Sequence, residues 1–417
     1  MRARGLITLV SIVMMSVGVA QPAGASPGDD EAIDYHEWSG GAFHSGQLDG
    51  LAIGRDGLRI TRPVGTVEHT EPGLGTTRAY EFGTWTSPRY RQGFDATQLI
   101  ASWNATTPSR TWLEIEARGW TAAGADTAWY VMGRWASGDG DIQRTSVGGQ
   151  DDDNASVDVD TLATKTGVTL RSYQLRVSLY REAGSDVTPT VSTLGAMTSY
   201  VPDRFDVRTT KPGRARGIEL KVPEYAQNIH KGQFPQYGGG GEAWCSPTST
   251  EMVAEYWGKK PSAEQMNWIP SDYTDPSVVY AARNTYDYAY DGTGNWPFNT
   301  AYAASLGLRG HITRLHDLNE LEDYIARGIP VITSQSFLAS ELDGAGYGTA
   351  GHLMVVVGFT AAGDVIVNDP ASSSDDRVRT VYKRDQFEKI WQRTKRLTAD
   401  GTVAGGPGGV VYLITPA

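Results

Sequence analysis

Short runs rich in Trp, Tyr, Val and Thr recur along the first half of the chain. In the clearest of them, apolar and polar side chains alternate, as in Thr111–Ala117, Trp129–Met132 and Tyr173–Tyr180. Such alternation is typical of a strand with one buried and one solvated face. Clusters of Gly, Asp, Asn and Ser separate the runs at turn-like spacing. The pattern over residues 31–200 therefore predicts an all-β domain, either a sandwich or a jelly roll.

The pattern changes after this region. Residues 201–217 contain Pro, Gly, Arg and Lys without an apolar period, which predicts a linker. Beyond it, apolar residues at helical spacing predict helices over Pro247–Trp257 and Asp317–Ala326. Strand-like apolar runs follow at Ile329–Thr333, Leu353–Phe359 and Val365–Val367. Residues 218–417 are therefore predicted to form an α+β domain.

The N-terminal residues have the pattern of an export signal. Arg2 and Arg4 precede the apolar run Leu6–Ala20, and Ala23-Gly24-Ala25 offers a small-x-small cleavage site before Ser26. We predict that residues 1–25 are a signal peptide and that the mature protein is secreted. The alternative interpretation is a retained N-terminal anchor, although the run is short for a membrane span.

The net charge and the cysteine count argue against several classes of function. The 417-residue chain has a net charge of −11, which argues against binding nucleic acid by phosphate neutralisation. Its single cysteine, Cys245, excludes an intramolecular disulfide and a zinc or iron–sulfur site built on cysteines. A lone thiol in an exported protein is expected to be either buried or used in chemistry.

Cys245 lies at the predicted start of a helix. Pro247 suits the first helical position and Ser246 the cap before it. Unpaired N–H groups and the helix dipole favour an anion there, and the thiolate is the nucleophilic form of cysteine. The alternative interpretation is a buried structural cysteine.

A nucleophilic cysteine needs a base, and the base needs an orienting group. His352 opens the apolar run up to Phe359, and Asp369 ends the next run after a short turn. If the two runs form a hairpin, position 352 pairs with 371 or with 369, and both registers put His352 and Asp369 on one face. Otherwise His352 is a core histidine and Asp369 a turn residue. The oxyanion donors would be the Cys245 N–H and one side-chain amide, from Gln227, Gln233 or Gln236.

Four segments together carry a resemblance to a known family: Val222 to Gln227, Trp244 to Ser249, Gly351-His352-Leu353 and Asn368-Asp369-Pro370. In order and spacing they resemble the soluble C39-like cysteine peptidases, which share the papain-like fold with bacteriocin-processing peptidase domains. The resemblance covers residues 218–417. It implies a papain-like fold, with Cys245 as nucleophile, His352 as base, Asp369 as orienting acid and Gln227 as oxyanion amide.

Two features depart from the family pattern. The stretch between Gln227 and Cys245 is long and contains Gly238 to Gly241, and Ser246 stands where many relatives have Gly. The bacteriocin-processing relatives cut after double-glycine leaders and are fused to transporters. No transporter segment is evident in this sequence, so that specificity is not carried over.

The N-terminal half resembles, less specifically, the β-sandwich modules that precede such exported peptidase domains. Its seven Trp residues are interpreted as core, with sugar stacking as the alternative. Its aspartates are interpreted as a solvated loop rather than a calcium site, because no full ligand pattern is present; they are Asp151, Asp152, Asp153, Asp158 and Asp160. His311 and His316 lack a third metal ligand, and neither a metal nor a cofactor is predicted.

The first functional hypothesis is a secreted cysteine peptidase that acts on peptide or protein substrates and forms an acyl-enzyme. The N-terminal module would place it on a cell-wall or glycan target. A second hypothesis has the same triad cutting peptidoglycan amide bonds. A third is an inactive peptidase-like protein whose Trp-rich sandwich binds glycan.

Overall fold

The computed structural model describes residues 31–417, so the predicted signal peptide lies outside the described residues. Residues 32–200 form thirteen strands arranged in two antiparallel sheets. The strands are β1 (Ala32–Ser39), β2 (Gln47–Asp49), β3 (Leu51–Gly54), β4 (Gly57–Ile60), β5 (Gly65–Glu71), β6 (Thr76–Thr86), β7 (Gln98–Thr106), β8 (Thr111–Thr121), β9 (Tyr130–Trp135), β10 (Ala155–Asp158), β11 (Thr161–Thr164), β12 (Leu170–Glu182) and β13 (Thr190–Tyr200).

One of these sheets has the order β10-β11-β7-β13-β4-β3, with β1 also paired to β13. The other has the order β2-β6-β12-β8-β9, with β5 also paired to β6. Alternate side chains from both sheets share one core, so the predicted all-β N-terminal half is confirmed. Five of the seven Trp residues here are buried, whereas Trp120 and Trp129 are half-buried and stack against arginines.

The second half contains five helices and eight further strands within the described residues. The helices are α1 (Cys245–Tyr256), α2 (Pro276–Thr285), α3 (Trp296–Ser305), α4 (Leu318–Ala326) and α5 (Arg384–Gln392). The strands are β14 (Leu308–Arg314), β15 (Val331–Phe337), β16 (Thr349–Phe359), β17 (Val365–Asn368), β18 (Arg379–Tyr382), β19 (Lys395–Leu397), β20 (Val403–Gly405) and β21 (Val410–Pro416).

A six-stranded antiparallel sheet with the order β14-β21-β15-β16-β17-β18 forms the centre of this half. Side chains from α1 and α3 share a core with one face of the sheet, and those from α4 and α5 share a core with the other. None of the helices among residues 31–417 is long and apolar enough to cross a membrane. The predicted mixture of helices and strands is confirmed, and the molecule as a whole is mostly β.

The two halves are joined by a buried seam rather than by a flexible contact. Phe298 of α3 lies between Trp103 and Trp135 of the sandwich, with ring centroids 6.0 and 5.4 Å apart. The side chain of Asn104 hydrogen-bonds both the N–H and the carbonyl of Gly310. Arg144 is fully buried, and its guanidinium donates to carbonyls on both sides of the seam. These contacts pair the Asn104 amide and the Arg144 guanidinium within the seam.

Residues 201–217, hereafter the strap, run over the surface formed by α4 and α5. Thr210 donates its N–H and its hydroxyl to Glu388. Gly213 and Ala215 donate their N–H groups to Glu322 at 2.9 and 2.8 Å. The segment predicted as a linker is therefore packed along much of its length against the second domain.

Candidate active site

The only cysteine lies at the N-terminus of α1. The helix begins at Cys245 itself, with Trp244 as the residue before it, and the Cys245 side chain is half-buried. The expectation that Ser246 caps the helix and Pro247 opens it was wrong by two residues. Ser246 lies within the first turn, where its hydroxyl is 2.9 Å from the hydroxyl of Tyr412 on β21. The thiol remains at the helix end that favours an anion.

The glycine-rich stretch before Cys245 brings the chain back against Gln227. Gly240 has a φ of +125° and precedes the short 3-10 turn Gly241–Ala243. A Cβ on Gly241 would lie 2.3 Å from the carbonyl oxygen of Gln227, so only glycine fits at this crossing. The long insertion therefore closes into a loop whose two ends touch.

Gln227 is buried beside both segments of the predicted site. Its side-chain Nε2 donates to the carbonyl of Glu242 at 2.9 Å, and its backbone N–H donates to the carbonyl of Pro370 at 2.8 Å. One hydrogen of the Nε2 group and the buried Oε1 have no partner among residues 31–417. The free Nε2 hydrogen can donate one further hydrogen bond, which is what an oxyanion donor requires.

His352 and Asp369 come together on the β16–β17 hairpin. Val355 pairs with Asn368. Extended by three residues, this register puts position 352 opposite position 371, which is one of the two registers expected from the sequence. The pairing shifts by one residue between Val356 and Gly358, so a bulge compensates for the longer turn. Nε2 of His352 lies 2.8 Å from Oδ1 of Asp369, and Asn368 points the other way to donate to the Pro223 carbonyl.

The electrostatics of this pair hold the imidazole protonated. Burial lowers the pKa of His352, but the charge and hydrogen bond of Asp369 and the interaction with the Cys245 thiol outweigh it and raise that pKa to about 10. Burial raises the pKa of Asp369, but His352, Tyr382 and the Ala371 N–H bring it below its usual range. Because Nε2 faces Asp369, Nδ1 is the ring nitrogen left for the thiol. The arrangement is an imidazolium between a carboxylate and a half-buried thiol, which is suited to nucleophilic catalysis.

Two family models match the chain, one over each half. Residues 219–399 match the model of the Peptidase_C39 like family, and residues 34–199 match that of the Peptidase C39 N-terminal domain. Both matches are to families of C39 peptidases, and together they leave only residues 200–218 unmatched between positions 34 and 399. The match over residues 219–399 points to a cysteine peptidase, and we refer to the matched regions as the C39-like domain and the N-terminal domain.

No curated protein shows a significant match to the chain. Among solved structures, one that is described as a C39-like peptidase from Bacillus anthracis is similar at 15% identity. The alignment covers 48% of this chain and 98% of that one, with a TM-score of 0.29.

Two tyrosines in the C39-like domain complete the surroundings of Asp369. The hydroxyls of Tyr347 and Tyr382 each donate to Oδ2 of Asp369 at 2.8 Å. The ring of Tyr347 also meets that of His352 edge-on, with centroids 5.6 Å apart. Sequence reasoning did not single out either residue. The available signal was the position of Tyr347 in the glycine-rich segment just before His352.

Three of the five aspartates considered for calcium have separate protein partners. Asp151 pairs with Lys165, and Asp152 accepts backbone N–H groups of its own turn and of Ala128. Asp160 crosses the seam to accept the N–H of Trp296, the first residue of α3. Burial raises the pKa of Asp160 to about 7.

The two histidines considered for a metal have other partners as well. His311 stacks on Tyr35, and His316 lies 2.9 Å from Glu320. Within residues 31–417, no three His, Cys, Asp or Glu side chains cluster in a way that could hold a metal ion.

Proposed function

We propose that this protein is a secreted cysteine peptidase of papain-like fold that hydrolyses peptide bonds through Cys245, His352 and Asp369. The observation that carries the proposal is the buried imidazole of His352, hydrogen-bonded to Asp369 beside a half-buried thiol at the start of α1. A core histidine kept for stability alone would gain nothing from a neighbouring thiol. An acyl-transfer site needs that neighbour as its nucleophile.

The reaction follows from the positions of these groups. The Cys245 thiolate attacks the carbonyl carbon of the scissile amide, and the developing oxyanion meets the Cys245 N–H and the free hydrogen of Gln227 Nε2. His352 then gives its Nδ1 proton to the leaving nitrogen as the C–N bond breaks, which leaves a thioester on Cys245. A water molecule loses a proton to His352 and attacks the thioester, which releases the acid and restores the thiol.

The proposal extends to residues outside the C39-like domain. Residues 1–25 would direct export, and the substrate would be an extracellular peptide or protein. The N-terminal domain would face a cell-wall or glycan target. Because the seam is buried, that domain would hold the peptidase in a fixed orientation on its target rather than tether it loosely.

The decisive experiment is to alkylate Cys245 with iodoacetamide from pH 4 to 9 in the mature protein and in His352→Ala. We expect rapid alkylation of the wild-type protein at acidic pH, where His352 is protonated beside the thiol, and loss of that low-pH reactivity in the variant. His316→Ala is the matched control, because His316 is a half-exposed histidine bonded to Glu320. An identical pH profile in wild type and His352→Ala would contradict the proposed triad.

Turnover then decides the substrate. Wild type and Cys245→Ala are compared on fluorescently labelled casein and on purified peptidoglycan. We expect casein cleavage that the variant lacks, with a loss of at least about a thousandfold. Release of peptidoglycan fragments with no cleavage of casein would favour the cell-wall amide hydrolase instead.

A further inference from the structure

We infer that Tyr347 and Tyr382 are positioning residues that hold Asp369 ionised and aimed at His352. The inference rests on the proposed function, because it assigns these two tyrosines a role in the triad. It goes further by identifying what keeps a buried carboxylate charged. Asp369 and His352 are only 3% and 4% exposed.

The hydrogen bonds to Asp369 are divided evenly between its two oxygens. Oδ1 receives Nε2 of His352 at 2.8 Å and the N–H of Ala371 at 3.0 Å. Oδ2 receives the hydroxyls of Tyr347 and Tyr382 and faces no cation. The carboxylate cannot turn Oδ1 away from His352 without breaking bonds at Oδ2 as well. The two phenols therefore fix its orientation.

The two donors come from different elements, and the loop that carries Tyr347 is bonded to the segment that follows Tyr382. Tyr382 ends β18 and is 1% exposed. Tyr347 lies in the loop between β15 and β16. That loop is tied down by the ion pairs Glu341–Arg393 and Asp343–Lys383. Because both donors are in place before a substrate arrives, the cost of orienting Asp369 is met during folding.

Phenols are suited to this task because they stay neutral. Burial and the nearby Asp369 charge raise the pKa of both Tyr347 and Tyr382, so each remains a donor. A cation at Oδ2 would compete with His352 for the negative charge. Neutral donors stabilise the carboxylate while leaving its charge to act on the imidazolium.

The test uses Tyr347→Phe, Tyr382→Phe and the double variant, and reads the His352 Nε2–H proton by NMR during acid titration. That resonance is shifted downfield while Asp369 is ionised and moves when Asp369 takes up a proton. Losing a donor to the charged form raises the pKa of a carboxyl group. We expect the midpoint of the transition to rise by about one pH unit in each single variant and further in the double.

Activity supplies a second readout. We expect kcat to fall about tenfold in each single variant with KM unchanged, because the lost hydrogen bond orients the triad rather than holding the substrate. Tyr256→Phe is the matched control. Tyr256 is the last residue of α1, at the opposite end of the helix from Cys245, and its hydroxyl donates to the carbonyl of Gly328. Melting curves establish whether each variant is folded. If the double variant does not fold, the two single variants alone decide the test.

The NMR readout needs no substrate, so the two proposals can fail separately. A raised midpoint in a protein that cleaves nothing would support the positioning role and defeat the proposed function. An unchanged midpoint in both single variants would overturn the positioning role, even in an active peptidase.

Discussion

The C39-like domain contains two buried ion pairs that look alike and differ in what surrounds them. Arg384 and Glu322 lie 2.7 Å apart beneath the strap, and His352 and Asp369 lie 2.8 Å apart at the candidate site. Both pairs are almost wholly buried. Around Glu322 the remaining partners are backbone N–H groups of the strap. Around His352 the remaining neighbour is the thiol of Cys245.

The difference shows that burial and pairing alone do not mark a functional site. The strap pair satisfies carboxylate and guanidinium with groups that cannot react, so its role is to fix a segment. The His352 pair leaves one ring nitrogen facing a nucleophile, and the nearby Gln227 amide has an unpaired buried oxygen. Chemistry is expected where a well-held charge adjoins an incompletely satisfied group.

The sharpest way to test the comparison is to remove Arg384. Arg384→Met leaves the carboxylate of Glu322 buried without its cation, which costs about 3–5 kcal/mol of folding free energy. We expect urea unfolding to show that loss, while the pH profile of Cys245 alkylation stays as in the wild type. Arg327→Met is the control, because Arg327 is exposed at the end of α4. A loss of folding free energy below about 1 kcal/mol in Arg384→Met would contradict a structural role for the Arg384–Glu322 pair. A shift of the pH profile of Cys245 alkylation in this variant would mean that the pair also acts on the candidate site.

The site pair predicts a different signature, a dependence of stability on alkaline pH. The pKa of His352 is about 10 in the folded protein against an ordinary value of 6.5. Its contribution to stability is therefore fully present below about pH 6.5 and is lost as the pH rises toward about 10. Asp369→Asn removes the charge that raises this pKa. Between pH 6 and 10, we expect the melting temperature of the wild type to fall about 5 °C further than that of the variant.

Other groups that titrate near pH 10 are common to both proteins, so the difference between the two curves isolates the pair. Parallel curves would mean that Asp369 does not hold the proton on His352. A steeper curve in Asp369→Asn would contradict the sign of the linkage.

Local patterns in the sequence predicted the parts of the site that lie close together along the chain. The turn between two apolar runs predicted that His352 and Asp369 share a hairpin face, since strand alternation fixes the face once the register is known. The start of α1 was predicted to within two residues. The error came from Ser246, whose partner Tyr412 is 166 residues away and has no local signature.

The parts that sequence could not predict depend on contacts between distant segments. Tyr382 reaches Asp369 only because β18 pairs with β17, and Asp160 reaches the start of α3 only across the seam. The strap reads as a linker because its composition is that of a loop. Its order comes from Glu322 and Glu388, which lie on helices more than a hundred residues later. Papain-like details, export and the roles of the four site residues stay predictions.

A third buried carboxyl group provides the smallest and most selective test. Glu251 of α1 is fully buried near Glu255 of the same helix, its Oε2 accepts the Tyr302 hydroxyl at 2.7 Å, and its Oε1 has no hydrogen-bond partner within residues 31–417. Burial raises the pKa of Glu251 well above its usual value. A carboxyl group of this kind favours the folded state only while protonated, so its penalty grows as the pH rises above about 4.5.

Glu251→Gln keeps the shape of the protonated side chain and cannot ionise. We therefore expect the variant to melt about 2–4 °C higher than the wild type at pH 8 and at the same temperature at pH 4. Tyr302→Phe should lower the melting temperature more at pH 8 than at pH 4, because it removes a hydrogen-bond donor that favours the ionised form of Glu251. If Glu251→Gln lowers the melting temperature at pH 8, the carboxylate is paired in solution. Glu251 would then be a paired carboxylate like Glu322 and Asp369, and the contrast between paired and unpaired carboxyl groups in this domain would fail.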